Sequence, residues 1–224
     1  MTPAVILWIF VVLGAGLAFT SFSILKKVFL NFNPAESAIQ EDIRKMRLAV
    51  EPYLNKLVPI DKKELELFSL NQVQQMLKKS ITTTASGIFT SIYQEPLLAY
   101  SYKKYVGKGK ALLFARTAEH EFVFNIGKKN TVVAINKMYY GTIIDHKLYR
   151  DEKGKQLLGM VSESGNNMLP ILVGNRQVAA LLDPEVVKSP QPRAFQFVAA
   201  SLDDEEEKAF LTLAILEMVQ RMVD

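Results

Sequence analysis

The sequence predicts an N-terminal transmembrane α-helix followed by a mainly β domain, in which a closed antiparallel β-barrel surrounds a C-terminal hydrophobic helix. Three observations lead to this fold class. Residues 4–25 contain no charged side chain, short segments rich in β-branched and aromatic residues begin near residue 62, and an apolar helical segment ends the chain. The predicted divisions are an anchor at residues 1–30, a juxtamembrane helix and linker at 31–61, and the barrel domain at 62–224.

The uncharged N-terminal stretch is long enough to span a bilayer. Its 22 residues make an α-helix of about 33 Å, and a hydrocarbon core is about 30 Å thick. A cleaved signal peptide is less favoured, because residues 1–3 include no basic side chain and the apolar run is too long. Lys26 and Lys27 follow the span, so the positive-inside rule predicts a single-pass protein of the cell membrane, with the N-terminus outside and the C-terminal domain in the cytoplasm.

Composition narrows the class of protein further. The 224 residues carry a formal net charge of +4, and 49% of them are hydrophobic. This hydrophobic content predicts a folded core. The mild charge suits a surface near anionic lipid better than a nucleic-acid-binding surface, which usually has a stronger basic stripe. Cysteine is absent, which excludes disulfides, thiolate metal sites and cysteine nucleophiles.

A juxtamembrane helix is predicted after the anchor. Asn33 can cap it, Pro34 suits the first helical position, and Glu36 suits a capping box. Pro52 should end or kink it near Val50. Apolar residues recur at helical spacing along it: Ile39, Ile43, Met46, Val50, Tyr53 and Leu57. This stripe is compatible with a short coiled coil, a helix on the membrane surface or a helix docked on the following domain.

From residue 62 the pattern changes to short β segments. About eleven of them, starting with residues 64–70, are separated by turns that contain Gly and Asn. Gly174-Asn175 has the form of a two-residue hairpin turn. Residues 71–79 are predicted as a helical turn or a loop. No helical segment interrupts the strands, so the sheet should be antiparallel and closed.

The last element is a predicted helix. Ser201 is its predicted N-cap, and acidic residues at 203–207 stand where the helix dipole is positive. Residues 209–216 are apolar apart from Thr212, so this helix should be covered on all sides. It is too short to span a bilayer, which favours a position inside the barrel.

A resemblance to a known superfamily covers residues 62–224. It rests on two runs, VFNIGKKNTVVAINKMYYGTIID and SLDDEEEKAFLTLAILEMV. With the order of strands and terminal helix, they resemble the tubby-like superfamily, which includes tubby C-terminal domains, LURP-one-related proteins and phospholipid scramblases. The resemblance implies a closed barrel with a central hydrophobic helix. The chain departs from the scramblases in its N-terminal anchor, and its residues match neither a calcium site nor tubby's phosphoinositide pocket, so no site residue is carried over.

The sequence contains no pattern that indicates catalysis, a bound metal or a cofactor, and a protein without enzymatic activity is therefore predicted. Glu119, His120 and Glu121 are consecutive. Because neighbours on a strand point to opposite faces, a solvated strand start is favoured over a metal site. His146 is expected in a solvated turn. Glu217 is expected to be solvated at the helix end, with burial beside a charged partner as the alternative.

Two functions fit these features. The first is a membrane-anchored, non-catalytic module that binds lipid or another ligand at the membrane surface. The second is a scaffold that docks partner proteins there, with its oligomeric state open. The predicted contacts with lipid headgroups are basic residues near the anchor: Lys26, Lys27, Arg44, Lys45 and Arg47.

Overall fold

The computed structural model describes residues 35–107, 109–151, 154–162, 168–183 and 192–223. Helix α1 is Glu36–Val50, helix α2 is Asp204–Val223, and Glu51–Lys56 and Lys62–Leu67 are 3-10 helices. The strands are β1 Phe68–Lys79, β2 Thr83–Ser91, β3 Pro96–Lys104, β4 Ala111–Arg116, β5 Glu121–Ile126, β6 Thr131–Ile135, β7 Met138–Ile144, β8 Lys147–Tyr149, β9 Leu157–Val161, β10 Met168–Val173, β11 Arg176–Leu182 and β12 Phe195–Val198. The predicted transmembrane span at 4–25 lies outside the described residues. Within the described ranges, no helix combines the length and apolar character needed to cross a membrane.

The twelve strands form one antiparallel sheet in which each strand is bonded to the next along the chain. The last strand returns to the first through the residues just before β12. The N–H of Leu70 donates to the carbonyl of Pro192 at 2.9 Å, and the N–H of Ala194 donates to the carbonyl of Phe68 at 2.7 Å. The result is a nearly closed barrel, which confirms the predicted mainly β, antiparallel fold with a C-terminal helix.

Strand β1 differs from the sequence prediction. Residues 64–67 belong to a 3-10 helix, whereas residues 71–79, predicted as a turn or loop, form most of a twelve-residue strand. Its outer part is exposed and mostly polar, and it is ordered by pairing with β2, as in Leu77 opposite Ala85. A bulge between Val73 and Met76, with Gln74 at a φ of 53°, breaks the alternation that would have marked a strand.

Helix α1 begins at Glu36, with Ala35 as its N-cap. Glu36 is therefore the first helical residue, and the predicted capping box does not form around it. The predicted cap Asn33 and the adjacent Pro34 lie outside the described residues. The helix ends at Val50 as predicted, because Pro52 lies in the 3-10 helix that follows.

The apolar stripe of α1 docks on the outside of the barrel, which decides between the three possibilities left by the sequence. Met46 and Val50 are buried, and they belong to a cluster with Ile88, Leu112 and Phe114 from the strands beneath. Leu57 belongs to the same cluster, and the remaining stripe residues are partly buried and pack against it: Ile39, Ile43 and Tyr53.

Ser201 is not the N-cap of helix α2, which begins two residues later than predicted. Asp203 is the N-cap, and its Oδ1 accepts hydrogen bonds from the N–H groups of Glu205 and Glu206 at 2.9 and 2.8 Å. The Glu206 carboxylate accepts a bond from the N–H of Asp203 at 3.1 Å, which completes a capping box.

Every residue of α2 from Ala209 to Val219 is buried. All of them except Thr212 and Glu217 belong to one hydrophobic cluster that also includes residues from all twelve strands. The ring centroids of Phe195 and Phe210 are 5.1 Å apart. A Cβ at Gly159 would lie 2.7 Å from the carbonyl of Leu172 and 3.2 Å from the Leu213 side chain, so this glycine permits close approach of the helix.

Candidate functional site

A groove of about 530 Å³ opens between helix α1 and the barrel wall. Its walls combine apolar and charged side chains: Arg44, Arg47, Leu48, Val50, Glu51, Leu54, Phe114, Arg116, Glu121, Asn136 and Lys137. The lining includes four cations and two carboxylates. The groove therefore has a net positive charge, and its apolar floor includes Phe114 and Val50.

Two hairpins place the polar side chains of the barrel wall. In the β4–β5 hairpin, Arg116 pairs with Glu121 across the strands. The β6–β7 turn consists of Asn136 and Lys137, both with positive φ (51° and 68°), as a tight two-residue hairpin turn requires. The Asn136 Oδ1 accepts a hydrogen bond at 2.9 Å from the N–H of Glu121. The two hairpins are thereby held together at the groove.

An ion pair joins α1 to this wall. Arg47 donates from Nε and Nη2 to the two carboxylate oxygens of Glu121, at 3.0 and 2.6 Å. The guanidinium also lies 5.6 Å from the ring centroid of Phe114. These hydrogen bonds lower the pKa of the Glu121 carboxyl, against the effect of burial, and the charges of Arg47, Arg116 and Lys137 lower this pKa further. Glu121 is thus held as a carboxylate.

The groove cations differ in how they are neutralised. Arg47 is paired with Glu121, and Arg44 is paired with Glu41 at 2.8 Å. Within the described part of the chain, no carboxylate lies at ion-pair distance from Arg116 or Lys137. Both interact electrostatically with Glu121, whose two oxygens are already bound by Arg47. These two cations are available to an added anion.

A second cavity of about 240 Å³ continues along α1 on the other side of the ion pair. It shares Arg47, Glu121 and Lys137 with the first groove, and its walls include the apolar side chains of Ile39 and Ile43. The Arg47–Glu121 pair therefore separates two compartments of one long depression.

The headgroup contacts predicted from sequence are distributed differently from the groove. Lys26 and Lys27 lie outside the described residues. Arg44 and Lys45 are exposed on α1, where both lie near the carboxylate of Glu41, at 2.8 and 3.6 Å. Arg47 instead turns toward the barrel. Of these residues, Arg44 and Arg47 line the groove, and contact of any of them with lipid stays a prediction.

Sequence reasoning missed Arg116, Glu121 and Lys137 as parts of a site. Glu121 was expected to be solvated, but it is 7% exposed and ion-paired. Its outward position on β5 follows from strand alternation, because Phe122 and Phe124 face the core. Its pairing with a helix residue 74 positions away has no local signal in the sequence.

Glu217 and His146 also differ from expectation. Glu217 is buried rather than solvated, and its Oε1 lies 3.0 Å from Nδ1 of His146 in the β7–β8 turn. Its other oxygen lies 3.8 Å from Arg221, which is 3.4 Å from Asp183. The burial of Glu217 thus comes with charged and polar partners, the alternative that was less favoured.

The fold and the groove define a mainly β protein with a nearly closed twelve-stranded antiparallel barrel and a cationic groove on its outer wall. Comparisons with protein-family models, with curated proteins and with solved structures gave no match.

Proposed function

We propose that the protein is a membrane-anchored, non-catalytic module that binds a single amphipathic anion, such as a lipid-like molecule with one anionic group, in the groove beside α1. The observation that carries this proposal is the position of Arg116 and Lys137 beside an apolar floor, with no ion-paired carboxylate of their own in the described chain. A charged group would bind these cations, and an apolar chain would cover Leu48 and Leu54.

The anchor in this proposal is the uncharged segment at 4–25, with the barrel on the cytoplasmic side. Its support is the length of the segment and the position of Lys26 and Lys27 after it. A reporter fused after Asp224 should be active in the cytoplasm. Reporter activity on the outer side would contradict this orientation.

The resemblance to the tubby-like superfamily belongs to the same proposal. A mainly β barrel with a buried terminal helix agrees with it. Under this proposal, the barrel is closed and α2 is its central helix. The superfamily includes phospholipid scramblases and phosphoinositide-binding tubby domains, which agrees with an amphipathic anion as ligand.

Binding to the groove can be tested with three matched probes. The full chain is placed in neutral phosphatidylcholine nanodiscs and titrated with octyl phosphate, octanol or inorganic phosphate. Octyl phosphate should bind most tightly, because it alone offers both the charge and the chain. If octanol bound as well as octyl phosphate, the cations would have no role.

Two substitutions locate the binding. Arg116→Gln and Lys137→Gln should each weaken octyl phosphate binding by about five- to tenfold, the loss expected for one charge-assisted contact. Lys155→Gln removes an exposed lysine outside the groove and should leave binding unchanged. If all three substitutions had equal effects, the scaffold function would be favoured instead. The same conclusion would follow if the chain did not bind octyl phosphate but recovered a partner protein in a pull-down.

A further inference from the structure

The direction of helix α1 shows at which end of the barrel this helix begins. Asp42 accepts hydrogen bonds from Lys103 Nζ at 2.7 Å and from the Tyr105 hydroxyl at 2.8 Å, where strand β3 ends. After the helix, the N–H of Val58 donates to the carbonyl of Pro96, where β3 begins. Helix α1 therefore runs antiparallel to β3 and begins at the end of the barrel where β3 ends.

Several turns meet at that end. In a sheet whose strands follow chain order, the β1–β2, β3–β4, β5–β6 and β7–β8 turns share one end of the barrel, where β9 and β11 also end. Lys79 pairs with Thr83, which pairs with Lys104. A Cβ at Gly109 would lie 3.1 Å from the Cα of Lys128, so the β3–β4 and β5–β6 turns are in contact. A cavity of about 220 Å³ is lined by both the β5–β6 and the β7–β8 turns.

We define the lysine-rich end as the described residues of these four turns and of the adjacent strand ends: 76–83, 104–107, 109–111, 126–131 and 144–147. Its exposed lysines are Lys78, Lys79, Lys110, Lys128, Lys129 and Lys147. Asp145 is the exposed carboxylate among its described residues. The opposite end instead carries exposed carboxylates, interspersed with cations: Glu95, Glu119, Asp203, Asp204 and Glu205. The four turns of the lysine-rich end thus carry a net positive charge, and Asp183, which follows β11 at the same end, pairs with Arg221.

The tip of the β1–β2 hairpin adds apolar side chains to this end. Met76 is 70% exposed, Leu77 is 45% exposed and Ile81 is 50% exposed. They flank Lys78 and Lys79, which are also exposed. Apolar side chains interspersed with lysines at a protruding tip match the chemistry of a membrane interface, where the chains enter the headgroup region and the cations meet anionic lipid.

We propose that the lysine-rich end rests on the anionic bilayer that holds the anchor, with Met76, Leu77 and Ile81 inserted among the headgroups. This inference rests on the proposed membrane anchor, but not on ligand binding in the groove. Two independent features agree on the same end: the N-terminal end of helix α1 and the net positive charge of the four turns. The lysines add attraction within a Debye length of the surface, about 8 Å at physiological salt.

An alternative partner for the hairpin tip is a β-strand from another protein or from a second copy of this chain. The β1 edge is a poor template for it, because the bulge at Gln74 interrupts the hydrogen-bonding row and Lys78 and Lys79 repel a like edge. Contact with a bilayer does not depend on backbone hydrogen bonds in register. The two occupants also differ in their dependence on lipid charge, which the experiment uses.

The test uses fluorophore-labelled single cysteines in the full chain, which has no cysteine of its own. Met76→Cys carries an environment-sensitive label at the hairpin, and Met138→Cys is the matched control at the β6–β7 turn, because both methionines are 70% exposed. In vesicles of phosphatidylcholine with phosphatidylglycerol, a lipid-borne quencher should quench the label at 76 about threefold more than at 138, the result expected for insertion at the interface. Equal quenching in a chain that floats with the vesicles would overturn the inference and leave the anchor intact.

The lysines are tested in the same assay. Lys128→Gln with Lys129→Gln should reduce quenching at 76, whereas Lys56→Gln with Lys155→Gln, away from this end, should not. Pure phosphatidylcholine vesicles should give weaker quenching than anionic ones. A label at 76 that becomes shielded without lipid, in proportion to protein concentration, would indicate a second copy and overturn the inference. A chain that does not float with either vesicle would refute the anchor, and the inference with it.

Discussion

Arg47 on helix α1 binds both carboxylate oxygens of Glu121 on strand β5, at 3.0 and 2.6 Å. The two residues are 74 positions apart, and their ion pair connects the juxtamembrane helix to the barrel wall. The Glu121 side chain is 10% exposed, whereas that of Arg47 is 39% exposed. The carboxylate is thus largely desolvated, and its charge depends on the arginine.

Glu121→Gln should destabilise the protein at neutral pH by about 1 to 2 kcal/mol, the range for a charge-assisted hydrogen bond with one partly exposed partner. The folded pKa of Glu121 lies below its ordinary value, mainly because of Arg47. The pair therefore stabilises the fold above the unfolded pKa of about 4.3, and this contribution is lost as pH falls through the folded pKa. Denaturant unfolding at pH 7 and at about pH 3 measures the difference between the proteins.

The matched control for this prediction is Glu41→Gln. Glu41 also pairs with an arginine, Arg44, but both side chains are exposed. Exposed ion pairs contribute little to stability, so we expect no measurable change at either pH. A loss at Glu121 no larger than at Glu41, or one that persists unchanged in acid, would contradict a stabilising role for the Arg47–Glu121 pair.

The sequence was sufficient to predict elements with strong local patterns. The apolar run at 209–216 predicted a covered helix, and residues 209–219 are buried. Helix α1 ends at Val50 because Pro52 follows, which is a local steric effect. The antiparallel order followed from short segments with no helix between them.

Features that depend on distant residues were not predictable in the same way. The outer part of β1 reads as polar and irregular, and its strand conformation depends on pairing with β2. Glu217 is buried because a turn some 70 residues earlier places His146 beside it. The groove exists only where α1 lies across the outer wall, so its cations from β4 and the β6–β7 turn share no local motif with Arg44 and Arg47.

Docking of α1 on the barrel predicts unequal effects of two nearby apolar substitutions. Met46 is 5% exposed in the docking cluster, and Leu48 is 51% exposed on the same helix. Met46→Ala should cost about 2 to 4 kcal/mol, because it removes buried volume. Leu48→Ala should change stability by less than about 0.5 kcal/mol. Denaturation midpoints provide the comparison, and similar losses at both positions would mean that α1 is not docked through this face.

The buried position of helix α2 predicts intolerance of charge. Leu213 is 2% exposed among side chains of the barrel. Leu213→Asp should cost several kcal/mol, because the charge would be buried without a partner, and should abolish cooperative unfolding near ambient temperature. Leu213→Met keeps the volume and should cost less than about 1.5 kcal/mol. A Leu213→Asp variant that melts like the parent would contradict the burial of α2.

At Thr212 we expect a substitution that increases stability. It is fully buried in α2, and its hydroxyl has no hydrogen-bond partner among the described residues. Thr212→Val keeps the shape of the side chain and removes an unsatisfied polar group, so it should stabilise the fold by about 1 kcal/mol. Thr142 is equally buried, but its hydroxyl lies 3.0 Å from the hydroxyl of Tyr139, so Thr142→Val should destabilise by about the same amount. Thermal unfolding of both variants measures the two shifts, and a fall in melting temperature for Thr212→Val would mean that its hydroxyl is hydrogen-bonded in solution.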